Sequence, residues 1–243
     1  RDIIAIGQPR GHIQQLENLH DKSFLDPAEP GDTPADQLAS LTLPTLRPEL
    51  AAQMEAAILA AKAEQDSVGG VIECRLSGLP AGLGAPFFDS VESVLSHLMF
   101  SIPAVKGVSF GAGFDFAALR GSQANDPWRT DGRRVWSATN HSGGINGGIT
   151  NGMPVEFTVT FRPTPSIAQP QETIDLETMT NTKITIGGRH DACIALRAPV
   201  VVESAAALAL WRLKGADGGG ELDNLRGQLD ILDTELTTLF VQR

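Results

Sequence analysis

The sequence predicts an α+β fold, in which helices and strands mix without the regular alternation of a parallel sheet. In some segments the apolar residues recur at helical spacing, and in others they alternate as in strands. Stretches rich in glycine and proline separate the two kinds of segment. The chain has 243 residues, of which 42% are hydrophobic and 20% charged, so it can bury a sizeable globular core.

The N-terminal part is predicted to contain two strands and a helix. Residues 1–7 alternate loosely and suit a short strand, whereas 26–48 are rich in proline and predict a loop with at most a turn or two of helix. From Pro48 the apolar residues fall on one helical face, and a following Gly-Gly pair predicts that this helix ends near Asp66. Residues 71–76 alternate and predict the second strand.

The rest of the main body is predicted to contain two more helices and two more strands. The helices cover about 89–101 and 204–214, and the strands cover 105–110 and 155–162. Between the strands lies a long polar, glycine-rich stretch, residues 111–154. A loop of that length inside a compact domain is usually functional or disordered.

The C-terminal end has a different pattern. Residues 215–220 (GADGGG) have the composition of a flexible linker. Beyond them, leucines at 222, 225, 229, 232, 236 and 239 step by three and four residues, as in a helix that packs against partner helices. We therefore predict one domain over 1–214, a linker over 215–220 and the start of a helical domain over 221–243.

Charge and composition exclude several classes of protein. The net charge of −10 would repel phosphate backbones and anionic membranes, so nucleic acid and lipid surfaces are poor partners. No stretch of 18 apolar residues and no signal peptide are visible, and the two cysteines form no motif, which together predict a cytoplasmic protein with reduced thiols. Because the sequence lacks an initiator methionine, we expect a fragment or a processed piece.

Three segments combine residues suited to chemistry. Residues 140–152 hold five glycines, whose amides can approach an anion, although composition also allows a mobile surface loop. Residues 162–166 (RPTPS) offer donors for a phosphate, or form a rigid turn. Residues 187–193 (GGRHDAC) place ionisable groups on a tight bend, where the surroundings can shift their pKa values. No second ligand cluster accompanies this last segment, so no metal site is predicted.

Together these segments resemble the chorismate synthase family. The family motifs Asn-His-x-Gly-Gly-x-x-Gly-Gly-Ile, (Lys/Arg)-Pro-Thr-x-(Ser/Thr) and Gly-Arg-His-Asp-x-Cys match residues 140–149, 162–166 and 188–193. Further similar segments lie upstream, at 66–70, 82–84, 101–108 and 116–122. The resemblance covers roughly residues 48–214.

The resemblance implies a lyase that eliminates phosphate from 5-enolpyruvylshikimate 3-phosphate to give chorismate, in aromatic amino-acid biosynthesis. It also implies a β-α-β sandwich with helices between sheets, a homotetramer, and reduced FMN as cofactor, with NADPH a candidate reductant. Asp191 matches the catalytic aspartate, and Arg189 is placed near both flavin and substrate. The matching flavin contacts are Pro103, Ala104, Gly147, Arg162, Pro163, Thr164, Pro165, Ser166 and Arg189. We expect residues 140–193 to form one pocket in which Asp191 faces the flavin.

The sequence departs from the family pattern in three ways. The N-terminal motifs Gly-Glu-Ser-His-Gly and Gly-Arg-Ser-Ser-Ala-Arg-Glu-Thr are absent, and they carry both catalytic histidines, so this chain alone is expected to be inactive. Arg162 stands where lysine is common, which keeps the charge but alters its geometry. Ala192 stands where proline is common, which loosens the turn beside Asp191.

The tail from Glu221 resembles the first helix of an α-helical chorismate mutase. Arg226 and Arg243 match that family's substrate-binding arginines; along one helix they would lie about 26 Å apart, and so serve different active sites or opposite ends of a dimeric one. A plain oligomerising helix is the alternative. Because the later mutase helices are not in this sequence, mutase activity is not predicted.

Two other functions remain open from the sequence. One is a catalytically incomplete flavin-binding module whose tail oligomerises through its leucines. The other is a nucleotide-phosphate enzyme of another class, which would bind ATP or NAD tightly and show no preference for flavin.

Overall fold

A computed structural model describes residues 8–30 and 32–216, which are built around one antiparallel sheet. The strands are β1 (Gln8–Leu16), β2 (Leu19–His20), β3 (Gly70–Ser77), β4 (Val105–Phe110), β5 (Trp128–Thr130), β6 (Val135–Ser137), β7 (Ile145–Asn146), β8 (Ile149–Thr150), β9 (Val155–Phe161), β10 (Gln171–Asp175) and β11 (Thr180–Ile184). The α-helices are α1 (Pro48–Ala63), α2 (Val91–Phe100), α3 (Gly121–Ala124) and α4 (Ala198–Ala216).

The central sheet has five strands in the order β2-β1-β3-β9-β4, and every neighbouring pair is antiparallel. The remaining strands form three separate hairpins: β5-β6, β7-β8 and β10-β11. Helices and an antiparallel sheet in one chain confirm the α+β prediction. Within the described residues, these hairpins are the only strands outside the central sheet, so this part of the chain contains one layer of the expected sandwich.

One face of the sheet carries the hydrophobic core. In β3 the side chains of Ile72, Cys74 and Leu76 are fully buried on this face, as their alternation predicts. Helices α2 and α4 pack here, and their buried side chains continue the core. Those side chains are Val91, Val94, Leu95 and Met99 from α2 and Val202, Ala206, Ala209, Leu210 and Leu213 from α4.

The opposite face of the sheet carries a buried polar network. Glu73 accepts hydrogen bonds from the His12 Nε2 atom at 2.8 Å, from the Phe24 amide at 2.7 Å and from the Ser23 hydroxyl at 2.5 Å. The other ring nitrogen of His12 lies 3.5 Å from Asp21. Burial lowers the pKa of His12, but its attraction to the nearby carboxylates of Asp21 and Glu73 outweighs this and raises the pKa overall.

Most predicted elements of the main body are confirmed, with shifted ends. The helix from Pro48, the strands near 71–76, 105–110 and 155–162, and the second helix are all present. Within 26–48 there is one turn of 3₁₀ helix, Leu38–Ser40, as predicted. The last helix begins six residues earlier than predicted, at Ala198, since Pro199 is tolerated in a first helical turn.

Some elements were not predicted, and other predictions fall outside the described residues. Strands β1 and β2 and all three hairpins were not predicted, and α4 continues to Ala216, two residues beyond the predicted end of the last helix. The strand predicted for 1–7, the rest of the linker and the helix predicted for 221–243 lie outside the described residues, and so do Arg226 and Arg243.

The long stretch 111–154 is folded rather than a simple loop. The Asp126 carboxylate accepts hydrogen bonds from the Thr139 hydroxyl at 2.7 Å and from the amides of His141 and Ser142, each at 2.8 Å. The Asn140 side chain accepts from the Gly144 amide at 2.8 Å and donates to Glu156 at 3.0 Å. These bonds fix the glycine-rich segment against the start of β9.

Gly111→Ala is expected to lower the free energy of unfolding by about 2–4 kcal/mol, which chemical denaturation would measure. The φ angle of Gly111 is 56°, and an added Cβ would lie 2.0 Å from the carbonyl oxygen of His141. Gly78→Ala is the matched control, because Gly78 has a φ of 79° but no atom within 4 Å of the added Cβ. Equal losses in the two variants would show that the collision is relieved without cost.

Candidate functional site

Asp191 lies on the segment that joins β11 to α4. The segment is held to the sheet by a 2.8 Å hydrogen bond from the Val68 amide to the Ala192 carbonyl. His190 is held within the segment, where its Nε2 atom lies 2.9 Å from the Ile186 carbonyl oxygen. The half-exposed Asp191 carboxylate forms an ion pair with Arg197, just before α4. This pairing gives the carboxylate a defined direction.

Asp191 lines a cavity of about 610 Å³ between this segment and the C-terminal half of α1. Helix α1 contributes Ile58, Leu59 and Lys62, and the opposite wall contributes Arg189 and Arg197 together with Asp191. Three cationic side chains therefore share the cavity with one carboxylate. In a protein of net charge −10, this is a local excess of positive charge that suits an anion.

A second group of predicted site residues meets where β9 ends. The Arg162 amide donates to the Ala104 carbonyl at 3.0 Å, so the two predicted flavin-binding segments lie side by side. Ala104 has a φ of 73°, a left-handed conformation that is uncommon for a residue with a side chain. Gly69 packs against Pro163, where an added Cβ would lie 3.0 Å from the proline ring.

Residues 67–68 join the two groups. The Ser67 hydroxyl donates to the Thr164 carbonyl at 2.7 Å, and the neighbouring Val68 amide donates to Ala192. Two of the three predicted motifs, 162–166 and 188–193, therefore lie on either side of one short segment. The structure brings together Ala104, Arg162, Pro163, Thr164, Arg189 and Asp191.

Gly147 does not belong to this group. Its neighbour Gly148 accepts a hydrogen bond from the first residue of α2, Val91, at 2.9 Å. This contact lies near the start of β9, whereas Arg162 directly follows its end. The six residue steps of β9 span about 20 Å. The single pocket predicted for 140–193 is therefore not formed within the described chain, and a flavin contact at Gly147 stays a prediction.

The 162–166 segment has a polar atom that fits a phosphorylated cofactor. The Thr164 hydroxyl oxygen is buried and makes no hydrogen bond to any residue that the structure describes. A buried hydroxyl without a partner is costly unless a ligand satisfies it. Together with the exposed Arg162 side chain, this donor set suits FMN.

Lys62 and Arg197 were missed by the sequence analysis. Lys62 lies four residues after the buried Ile58, so the helical period would have placed it one turn further along the same face of α1. No local pattern could have identified Arg197, because its pairing with Asp191 depends on how the chain turns into α4.

The described residues contain neither a metal-binding cluster nor a membrane-spanning helix. Among residues 8–30 and 32–216, no three histidine, cysteine or acidic side chains are grouped so that they could hold a metal ion. In the same part of the chain, no helix has both the length and the apolar character needed to cross a bilayer.

Comparison with known proteins supports the resemblance. Residues 6–214 match the family model described as chorismate synthase. Over 156 residues the chain is 51% identical to a chorismate synthase from Chitinophaga pinensis, covering 64% of this chain and 46% of the relative. Over 159 residues it is 52% identical to a chorismate synthase from Korarchaeum cryptofilum, covering 65% and 44%.

The fold gives the same result. A crystal structure of a chorismate synthase superimposes with a TM-score of 0.69 and 25% sequence identity, over 88% of this chain and 59% of that protein. The chain spans about half the length of the curated relatives it matches, such as the two above.

Proposed function

The chain belongs to the chorismate synthase family, and on that premise we propose that it supplies the flavin-binding segment and the proton-removing aspartate of a phosphate-eliminating lyase. The proposed substrate is 5-enolpyruvylshikimate 3-phosphate and the product is chorismate. The observation that carries the proposal is the position of Asp191, in a cationic cavity beside the segment that holds Thr164.

The proposed chemistry is a 1,4-elimination. The Asp191 carboxylate takes up a proton from the substrate ring, and the electrons of that C–H bond form a new carbon–carbon double bond. The existing ring double bond shifts by one position, and the C–O bond to phosphate breaks with its electron pair leaving on phosphate. No net oxidation or reduction occurs. Bound reduced FMN would supply an electron-rich ring next to the substrate. The ion pair with Arg197 directs the Asp191 carboxylate, and the cavity's cations stabilise the departing charge.

The residues proposed to hold FMN come from two adjacent segments. Arg162, Thr164 and Ser166 offer a cation and two hydroxyl donors, and Pro103 and Ala104 lie beside them. Arg189 would complete the set from the edge of the cavity. Gly147 lies at the other end of the sheet, so it does not belong to this set of FMN-binding residues.

Thr164→Val is expected to raise the dissociation constant of reduced FMN about tenfold, because the variant keeps the shape of the side chain but removes the buried hydroxyl. Anaerobic fluorescence titration of the purified chain would measure it. Thr160→Val is the matched control: Thr160 is exposed near the end of β9, and its loss should leave the affinity unchanged. An unchanged affinity in Thr164→Val would contradict the proposed flavin contact.

We propose further that this chain alone does not turn over substrate. Its sequence contains neither of the histidine-bearing motifs to which the resemblance assigns catalytic roles. Flavin binding without turnover is expected in an anaerobic assay that follows chorismate formation. Turnover by the isolated chain would overturn the proposal that it is inactive by itself. A complete enzyme that binds flavin but makes no chorismate would favour a non-catalytic assembly module instead.

The mutase-like tail, the homotetramer, the cytoplasmic location and NADPH as reductant stay predictions. The cytoplasmic location rests on composition and the other three rest on the resemblance, and the tail lies outside the described residues.

A further inference from the structure

We propose that a second cavity, between residues 32–48 and one face of α1, binds a small organic amine with an apolar body. Its volume is about 910 Å³, which is within the usual range of small-molecule sites. Among the described residues, neither Asp191 nor any of 162–166 lines it. The inference therefore goes beyond the proposed function and does not depend on it.

The wall of this cavity contains a buried hydroxyl group without a partner. Thr45 lines the cavity and is completely buried. Its hydroxyl oxygen makes no hydrogen bond to any residue that the structure describes. Such a group is costly unless a bound molecule satisfies it. A hydroxyl oxygen can accept a hydrogen bond, so an N–H donor that enters the cavity would supply the missing partner.

The position of Thr45 is fixed by the residues on both sides of it. The Pro44 carbonyl accepts a hydrogen bond from an amide of β1 at 2.8 Å. The Leu46 amide donates to the buried Asp21 carboxylate at 2.5 Å, and the Leu46 carbonyl accepts from the Thr33 amide at 2.7 Å. The wall that carries Thr45 is therefore formed before any ligand binds, as is usual for small-molecule sites.

Helix α1 leaves room for an apolar ligand. Its lining residues recur at the spacing of one helical face: Pro48, Ala51, Ala52, Glu55, Ile58 and Leu59. Two of them are alanines, which leave space that larger apolar residues would fill. Leu41 and Leu43 add apolar surface from the facing segment. Most of the wall thus suits an apolar body, whose transfer out of water is favourable.

The charge around this cavity favours a cation over an anion. Among the described residues that line it there is no lysine, arginine or histidine, whereas Asp32 and Glu55 are present. The Asp32 carboxylate is paired with Lys22 at 2.8 Å. Glu55 forms no ion pair within 8–30 or 32–216. A protonated amine would be attracted by Glu55, and anions such as FMN would be repelled.

This cavity shares a wall with the cavity of Asp191. Ile58, Leu59 and Leu196 line both. The two differ in charge, because the cavity of Asp191 contains three cationic side chains and the second cavity contains none among the described residues. They therefore select different molecules, and a ligand in the second cavity would contact side chains that also shape the first.

The test is a fluorine NMR titration of the purified chain with para-fluorophenethylamine, a primary amine with a phenyl ring as its apolar body. We expect saturable binding, about tenfold tighter than that of the anionic analogue para-fluorophenylpropanoate. Thr45→Val keeps the shape of the side chain but removes the hydroxyl, and should raise the dissociation constant of the amine about tenfold. Thr182→Val, at an exposed threonine on β11, is the matched control and should bind as wild type.

Two further variants keep the test decisive if Thr45→Val does not fold. Ala52→Leu should abolish binding, because leucine fills the cavity; the fold should persist, since Ala52 is exposed and leucine favours a helix. Glu55→Gln removes the charge alone and should raise the dissociation constant about threefold, as expected for an exposed ion pair.

Three results would overturn the inference. The first is wild-type affinity in both Thr45→Val and Ala52→Leu, and the second is equal affinity for the amine and its anionic analogue. The third is displacement of the amine by FMN, which would place the amine in the flavin site. If a second copy of the chain fills the cavity instead, the affinity for the amine would fall as the protein concentration rises, and the proposal would again be wrong.

Discussion

Under the proposed function, Asp191→Asn is expected to lower the turnover number of a full-length chorismate synthase that includes this sequence by about 10²–10⁴-fold, the usual contribution of a positioned acid or base. Asparagine keeps the shape of the side chain and can still accept a hydrogen bond from Arg197, but it cannot take up a proton. A stopped-flow assay of chorismate formation with reduced FMN would measure the loss.

Three controls separate chemistry from folding. The Asp191–Arg197 pair is exposed, so its loss should change the free energy of unfolding by less than about 1 kcal/mol. Flavin affinity should also stay unchanged, since the proposed phosphate donors lie on 162–166. Glu172→Gln, an exposed carboxylate on β10, should retain full activity. Retained turnover in Asp191→Asn would remove Asp191 from the mechanism.

Glu73→Ala is expected to lower the free energy of unfolding by about 3–5 kcal/mol, as measured by urea denaturation. The carboxylate is buried and accepts three hydrogen bonds, from His12, Ser23 and the Phe24 amide. Its removal leaves these donors without a partner inside the protein, where an unmade hydrogen bond is most costly. Glu73→Gln keeps an acceptor oxygen, so its free energy of unfolding should fall less. Glu55→Ala, on the exposed face of α1, should leave the free energy of unfolding almost unchanged.

The loss of unfolding free energy in Glu73→Ala should also depend on pH. The folded state raises the pKa of His12, so the network contributes most below the unfolded pKa of histidine, about 6.5, and its contribution falls as the pH rises through the folded pKa. The difference in unfolding free energy between wild type and Glu73→Ala is therefore expected to shrink as the pH rises above about 6.5. A difference that grows with pH would show that His12 is not the titrating partner.

Local spacing in the sequence was enough to predict the elements whose burial follows a simple period. The helix from Pro48 buries Leu50, Met54 and Ile58, which are four residues apart, and β3 buries apolar side chains at alternate positions. Motif order was enough to predict the family, because each motif is a run of neighbouring residues that can be read without knowing the fold.

Strand β1 was missed for a physical reason. It contains Pro9 and Gly11, which weaken a strand signal, and its polar His12 is buried only because Glu73 and Asp21 reach it from distant parts of the chain. Likewise, β10 and β11 stabilise each other as a hairpin whose side chains are largely exposed, so they leave no apolar alternation to detect.

The sequence by itself determined the family, the α+β class and the identity of the proposed catalytic and flavin-binding residues. Only the tertiary structure decided which of those residues meet. It joined 162–166 to 188–193 through Ser67 and Val68, placed Gly147 at the far end of β9, and added Lys62 and Arg197 to the cavity of Asp191. The reason is that such contacts depend on strand register and on where a helix ends, and both are set by packing between residues far apart in the chain.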